Sequence, residues 1–364
     1  FFRSRPMTFK TKLFTFLFAV SIFVFYGNVW SDDSVRYADL GDFRLENGNV
    51  IQNCRLGYLT RGALNEEKSN VVLVSTWLAG TSKELADLGF IGPGKVFDSS
   101  KHYIIAVDAF ANNVSSSPSN SALQKGKAFP RFSLRDLVRA QHLLLTRHLN
   151  IRHVRAVSGI SMGAMTTFQW MVSYPDFMDR AVPIAGSPWM TSYELLFWSA
   201  QMGILEQIGE CKGSEEAMKA LAPLHVMQVW PPDYRTANTS AAAFPVFLAD
   251  QQEKLSRYDA YNWSRQVTAI MSHDILKDFG GDRQKAAAAV RAECLVITSA
   301  QDQVTSREEA KAFARLIGAQ TADLNGVCGH FAFLCDQESL KKRLDAFLAQ
   351  ETGVSPAAAE NNKK

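Results

Sequence analysis

Residues 159–163 read Gly159-Ile160-Ser161-Met162-Gly163, a serine held between two glycines. Ala156-Val157-Ser158 before it favours a strand, and the run from Ala164 to Trp170 after it suits a helix. Strand, G-x-S-x-G and helix together make a nucleophile elbow: the glycines permit a sharp turn, and the hydroxyl stands exposed above a sheet. The alternative is that Gly159 and Gly163 serve only close strand–helix packing. A serine hydroxyl is a weak nucleophile until a base takes its proton, and the base needs an orienting partner. In this context the chain order is Ser, then Asp or Glu, then His. Of the seven histidines only His225, His273 and His330 follow Ser161. His330 alone lies in a glycine-containing loop, Val327-Cys328-Gly329-His330-Phe331, ahead of a terminal helix, and is the expected base. The acid is expected at Asp302. Cys294-Leu295-Val296-Ile297-Thr298 reads as a buried strand, and Asp302 follows at its carboxyl end, where catalytic groups of open α/β sheets gather. Ser306 and Glu309 offer a capping box for the next helix, which frees Asp302 from that task.

These stretches resemble the α/β-hydrolase superfamily, and within it the homoserine O-acetyltransferase-like branch. Five further segments carry the likeness: Tyr58-Leu59-Thr60-Arg61-Gly62-Ala63-Leu64-Asn65, Ile91-Gly92-Pro93-Gly94-Lys95, Ser115 to Asn120, Asp136-Leu137-Val138-Arg139-Ala140-Gln141, and Tyr258-Asp259-Ala260-Tyr261-Asn262. Gly329-His330-Phe331-Ala332-Phe333-Leu334 is similar to the branch's "G-H-D-x-F-L" ending. The resemblance runs from about residue 40 to 348 and is weakest in the middle. It implies an oxyanion hole made by the N–H groups of Leu78 and Met162, neither of which depends on its side chain.

Two departures bear on substrate. Where the branch carries an Asp after the histidine, this chain has Phe331, and aligning Phe197 to Met202 on the branch's lid helix sets Met202 at its arginine. A zwitterionic substrate would lose both charged partners, and unpaired charge in a pocket is costly.

The remaining features set bounds. Net charge is +3 and no basic run carries interleaved aromatics, so nucleic acid is not an expected partner. No GxGxxG or P-loop calls for a nucleotide, no His/Cys/Asp spacing suits a metal, and no cofactor is expected. Residues 1–31 read as a signal peptide with Met7 as the start, Lys10 and Lys12 as its positive region and Leu13 to Tyr26 as its apolar region; an uncleaved anchor is the alternative. A periplasmic or secreted enzyme follows, one that would meet little acetyl-CoA. Of the five cysteines, Cys54 and Cys294 sit in strand-like runs as buried thiols. Cys328 and Cys335 bracket His330 and either close a small loop around the base or stay unpaired.

Short apolar runs at 71–74, 103–107, 154–158 and 181–185 alternate with helical patterns, and Ser133-Leu134-Arg135-Asp136 is a capping box opening a helix to about Leu149. The expected fold is α/β, a mostly parallel central sheet flanked by helices. Its core comprises residues 32–187 and 288–350, with a disordered tail over 351–364. The interval 188–287 is far longer than a crossover needs and reads as a mainly helical lid between two late strands. Trp77, Trp189, Trp198, Met202 and Phe331 are expected to line a pocket above Ser161; the alternative for each is packing, within the lid or in a homodimer formed through it. The expected activity is that of a serine esterase on a small, mainly uncharged ester, with acyl transfer of the homoserine acetyltransferase type as the rival. A third reading is an inactive α/β-hydrolase that only binds, which loss of a triad member would favour.

Overall fold

A computed structural model describes residues 34–350. The expected signal peptide or anchor at 1–31 and the expected tail at 351–364 lie outside the described residues. Eight strands form one sheet: β1 (Arg36–Arg44), β2 (Val50–Arg61), β3 (Val71–Ser75), β4 (Tyr103–Val107), β5 (Val154–Ile160), β6 (Met178–Ile184), β7 (Glu293–Ser299) and β8 (Gln320–Leu324). Their spatial order is β1-β2-β4-β3-β5-β6-β7-β8. All neighbours from β4 to β8 pair in parallel, while β2 runs antiparallel to both β1 and β4.

The central strands are continuous apolar runs because both faces of the sheet are covered. Side chains alternate across a strand. Val71 and Leu73 of β3 therefore enter one core with Ile105, Val107 and Val157, whereas Val72 and Val74 enter the other with Ile104, Ala106 and Ala156. Helices α1 (Ser82–Asp87), α2 (Leu134–Leu143) and α3 (Met162–Ser173) follow β3, β4 and β5. Leu137 and Phe168 from α2 and α3 fill the first core, and Leu85 of α1 fills the second. The capping box at Ser133 and Asp136 is complete, and α2 runs on through a π-helical turn at Leu144–His148, which carries the helix to the expected end.

Between β6 and β7 lie α4 (Ser192–Lys212), α5 (Ser214–Val229), α6 (Pro232–Asn238), α7 (Phe244–Ser256), α8 (Ala260–Met271) and α9 (Arg283–Ala289). Helices α4, α5, α7 and α8 pack on one another as the lid. The boundaries 188–287 need correction at both ends. Trp189 pairs with Asp274 through the backbone and sets its ring edge-on to Phe313 of α10 (Arg307–Leu316), in the core. Helix α9 packs on α3 and α10, burying Ala286 and Ala287, so it is a core crossover helix and not part of the lid. The chain then closes with α11 (Ala332–Cys335) and α12 (Gln337–Leu348), whose Leu344 and Phe347 complete the second core. Among the described residues no helix is long and apolar enough to cross a membrane.

Candidate active site

Ser161 sits between β5 and α3 with φ 58° and ψ −118°, a conformation that non-glycine residues adopt only when their surroundings enforce it. The enforcement is visible. Its N–H donates to the Ile184 carbonyl at 2.9 Å, and its own carbonyl accepts from Ala164 N–H at 2.8 Å and Met165 N–H at 3.1 Å. A Cβ at Gly159 would overlap Gly163, one at Gly163 would overlap the Ser75 carbonyl, and one at Gly186 would overlap Ala164. Close packing and the sharp turn are thus one requirement: helix and sheet meet at backbone distance, and the serine is extruded at their junction.

Three side chains form a continuous hydrogen-bonded chain. His330 Nδ1 lies 2.8 Å from Asp302 Oδ2, and His330 Nε2 lies 2.8 Å from Ser161 Oγ. A carboxylate only accepts. Nδ1 therefore carries the proton, and Nε2 is left to accept from the serine hydroxyl. Asp302 and His330 are almost fully buried, their side chains 1% and 5% exposed. Asp302 follows β7 in a tight turn. Its Oδ1 accepts from Val304 N–H at 2.8 Å and Thr305 N–H at 3.0 Å, and its Oδ2 accepts from Thr305 Oγ at 2.8 Å. The carboxylate is thus fixed before the imidazole reaches it. Ser306 caps α10 by accepting from Glu309 N–H, as its spacing predicts. Glu309 makes no return bond. Its carboxylate takes Trp189 Nε1 at 3.1 Å and pairs with Arg283 at 3.1 Å.

His330 occupies a 3-10 turn, Gly329–Phe331, that begins on a glycine at φ 58°. A side chain at 329 would strike Pro231 and the Val229 carbonyl, so only glycine lets the end of α5 close over this turn. Ser299 Oγ–H, at the end of β7, donates to the Gly329 carbonyl at 2.5 Å. Cys328 and Cys335 are disulfide-bonded across a separation of seven residues. In the chain-entropy view, closing so short a loop contributes about 2.5 kcal/mol. Cys54 and Cys294 are buried free thiols, both pushed up to about 12 by burial.

Met162 opens α3, where first-turn N–H groups have no acceptor within the helix. Leu78 lies in a turn closed by Gly80 N–H to the Trp77 carbonyl at 3.0 Å, with Ala79 at φ 58°. That turn is held from the lid. Gln266 of α8, with no exposed surface, accepts from Ala79 N–H at 2.6 Å and donates to the Phe110 carbonyl at 2.8 Å. Nothing in the sequence pointed to Gln266, because its partner lies 187 residues away. Gln266→Leu would leave the Ala79 N–H unsatisfied and free the turn to drift. We expect kcat for a good substrate to fall about 10- to 100-fold with KM little changed, as loss of oxyanion geometry requires. Steady-state kinetics on the purified variant would check this; a rise in KM alone would show that Gln266 shapes binding instead.

Ser161 and His330 open into a cavity of about 820 Å³. Trp77, Trp198 and Phe331 line it, together with Leu78, His225, Trp230, Tyr258, Trp263 and Phe333. Phe331 stands edge-on to Trp230 at 5.1 Å, and Trp77 stacks on Phe333 at 6.1 Å. Two expected residues are elsewhere. Trp189 packs in the core, where Arg283 sits 4.4 Å over its ring. Met202 lines a separate crevice beside Phe129 and Arg131. Helix α4 has 21 residues and extends about 30 Å, so Trp198 is over the cavity and Met202, one turn on, has left it. Of its charged lining residues, Asp87, Lys254 and Arg257 stand at the rim, their side chains 59%, 57% and 71% exposed, while the half-buried Glu84 and Asp259 are engaged in the N-terminal caps of α1 and α8.

Comparison with known proteins agrees with this architecture. The family model described as "Serine aminopeptidase, S33" matches residues 132–329. An ethyl acetate hydrolase of Pseudomonas veronii is 31% identical over 327 residues, covering 86% of this chain and 93% of that protein. A homoserine O-acetyltransferase of Chlorobaculum parvum is 28% identical over 355 residues, covering 89% of this chain and 97% of that protein. The crystal structure of an acetylester hydrolase from Corynebacterium glutamicum superposes with a TM-score of 0.81 at 27% identity, covering 87% of this chain and 96% of that one. A strained serine between β5 and α3, a sheet of this strand order, and likeness along nearly the whole described length converge: the chain belongs to the α/β-hydrolase family, with esterases and homoserine O-acetyltransferases among its relatives.

Proposed function

We propose that this protein is a carboxylic ester hydrolase that works through an acyl-enzyme on small, mainly uncharged esters. The observation that carries the reading is the continuous relay from Asp302 through His330 to Ser161, opening into a cavity whose lining is mostly apolar and rich in aromatic rings. Ser161 Oγ attacks the ester carbonyl while His330 Nε2 takes its proton. The Leu78 and Met162 N–H groups receive the negative charge that develops on the carbonyl oxygen. As that intermediate collapses, Nε2 returns the proton to the leaving alcohol, and a water activated by the same nitrogen then releases the acid. Likeness to an ethyl acetate hydrolase and an acetylester hydrolase supports a short acyl group.

Acyl transfer to homoserine is the second reading, favoured by relatives of that name. It needs partners for a carboxylate and an ammonium. Phe331 supplies neither, and Met202→Arg would set a guanidinium in the second crevice instead of over Ser161. The deciding experiment is a panel of p-nitrophenyl esters of rising acyl length, run beside acetyl-CoA with homoserine. We expect brisk hydrolysis of the short esters and no competition from homoserine, since burying either of its charges unpaired costs several kcal/mol. Robust CoA-dependent acetylation of homoserine would reinstate the transferase.

A further inference from the structure

The lid carries a second imidazole into the cavity. His225 of α5 lines the same space as Ser161 and His330, and it interacts electrostatically with His330. Its proton is placed by a chain of lid side chains. Trp263 Nε1, which can only donate, gives its hydrogen bond to Gln201 Oε1 at 3.0 Å. The Gln201 oxygen is thereby committed to the indole, so its NH2 group faces His225 Nδ1, 3.5 Å away. Nδ1 must accept, and the imidazole proton therefore sits on Nε2. Gln201 has no exposed surface, which locks the amide in this orientation. Among the described residues Nε2 has no partner. Burial, helped by the nearby His330, holds the ring's pKa down to about 4, so it is neutral near pH 7. The result is a fixed N–H donor in a mostly apolar and aromatic wall, where the indole N–H of Trp198 is a second donor without a partner.

Position says which half of the substrate meets it. Helix α5 packs on the turn that carries His330. The leaving alcohol must lie beside His330 Nε2, because it takes its proton there. We propose that His225 is a specificity-determining donor that selects esters whose alcohol half carries an oxygen acceptor, an ether or hydroxyl oxygen a few bonds from the ester oxygen. This inference rests on the ester-hydrolase reading above. Pairing an otherwise idle donor that faces the cavity is what discriminates such an alcohol from its hydrocarbon isostere.

The test compares kcat/KM for n-butyl acetate and 2-methoxyethyl acetate, which have the same number of heavy atoms, together with acetates bearing the ether oxygen one and two atoms further out. The enzymes are the wild type, His225→Leu and Gln201→Glu, each shown by fluorophosphonate labelling to retain a reactive serine. The His225→Leu ratio absorbs the ether's own activation of the leaving group. For at least one ether position the wild-type ether-to-butyl ratio should exceed that of His225→Leu by about tenfold. Gln201→Glu offers Nδ1 an acceptor, moves the proton off Nε2 and should lose the preference as well. Merely structural damage would lower both esters together and leave the ratio where it was. Equal ratios in wild type and His225→Leu at every ether position overturn the inference while the hydrolase reading stands. An ether preference that survives Gln201→Glu overturns the tautomer argument. A wild type that hydrolyses none of these acetates removes the hydrolase reading and this inference with it.

Discussion

Ser161→Ala abolishes labelling by a fluorophosphonate and lowers kcat on a short ester by about 10⁴- to 10⁶-fold; that is the largest effect expected from any single substitution in this chain. The substitution removes one oxygen whose hydrogen bond runs to His330 Nε2, an atom that faces the cavity and can take up water instead. The strained backbone at φ 58° is enforced by the Ile184, Ala164 and Met165 bonds, none of which uses the hydroxyl. Stability should therefore move by less than about 1 kcal/mol. His330→Ala should cost a similar factor, and the double variant should be little worse than either alone, because nucleophile and base act as one unit. Thermal melts and burst kinetics on the three variants check both halves. Near-normal turnover by Ser161→Ala would move the nucleophile elsewhere and end the acyl-enzyme reading.

The parts of this site that could be read in the sequence are those whose signal is local. Ser161 is announced by two glycines within two residues. Asp302 is announced by the apolar strand before it, and His330 by its glycine turn and place in the chain. The core strands are legible for the same reason: a strand buried on both faces is an uninterrupted apolar run. What was not legible is rotation and reach. Trp198 and Met202 lie one turn apart on α4, and no property of either residue says where the cavity ends. Trp189 reads as a lid aromatic, yet its indole belongs to Glu309, 120 residues on. Gln266, Gln201 and His225 carry no motif at all. Their meaning comes from partners on other helices, and a polar residue in a helical stretch looks the same whether it faces water or fixes a tautomer. Strand β1 carries no apolar run, since only Ala38 and Phe43 of its nine residues are buried, as suits an edge that has one neighbour.

Asp302→Asn tests the least local member of the relay, and the structure says how it should fail. The two backbone donors, Val304 N–H and Thr305 N–H, both point at Oδ1. An asparagine keeps its carbonyl oxygen on those donors, since turning its NH2 toward them would set donor against donor. The NH2 group then replaces Oδ2, opposite Thr305 Oγ and His330 Nδ1. The threonine hydroxyl can rotate to accept, so the turn survives and stability should change little. The imidazole has no such freedom. Facing an NH2 donor, Nδ1 must accept, and its proton moves to Nε2, where it points at Ser161 Oγ. A nitrogen that already carries its proton has no lone pair left to take the serine's, so the base beside Ser161 is lost, and the carboxylate that would stabilise an imidazolium is gone as well. We expect kcat to fall about 10⁴-fold near neutral pH while KM changes little, and expect partial recovery as pH rises and the serine is reached by hydroxide. The expected signature is thus a large loss in kcat with an unshifted melt and a changed pH profile. A variant that melts early and loses activity in proportion would instead mean that Asp302 holds only the turn, and that another group orients His330.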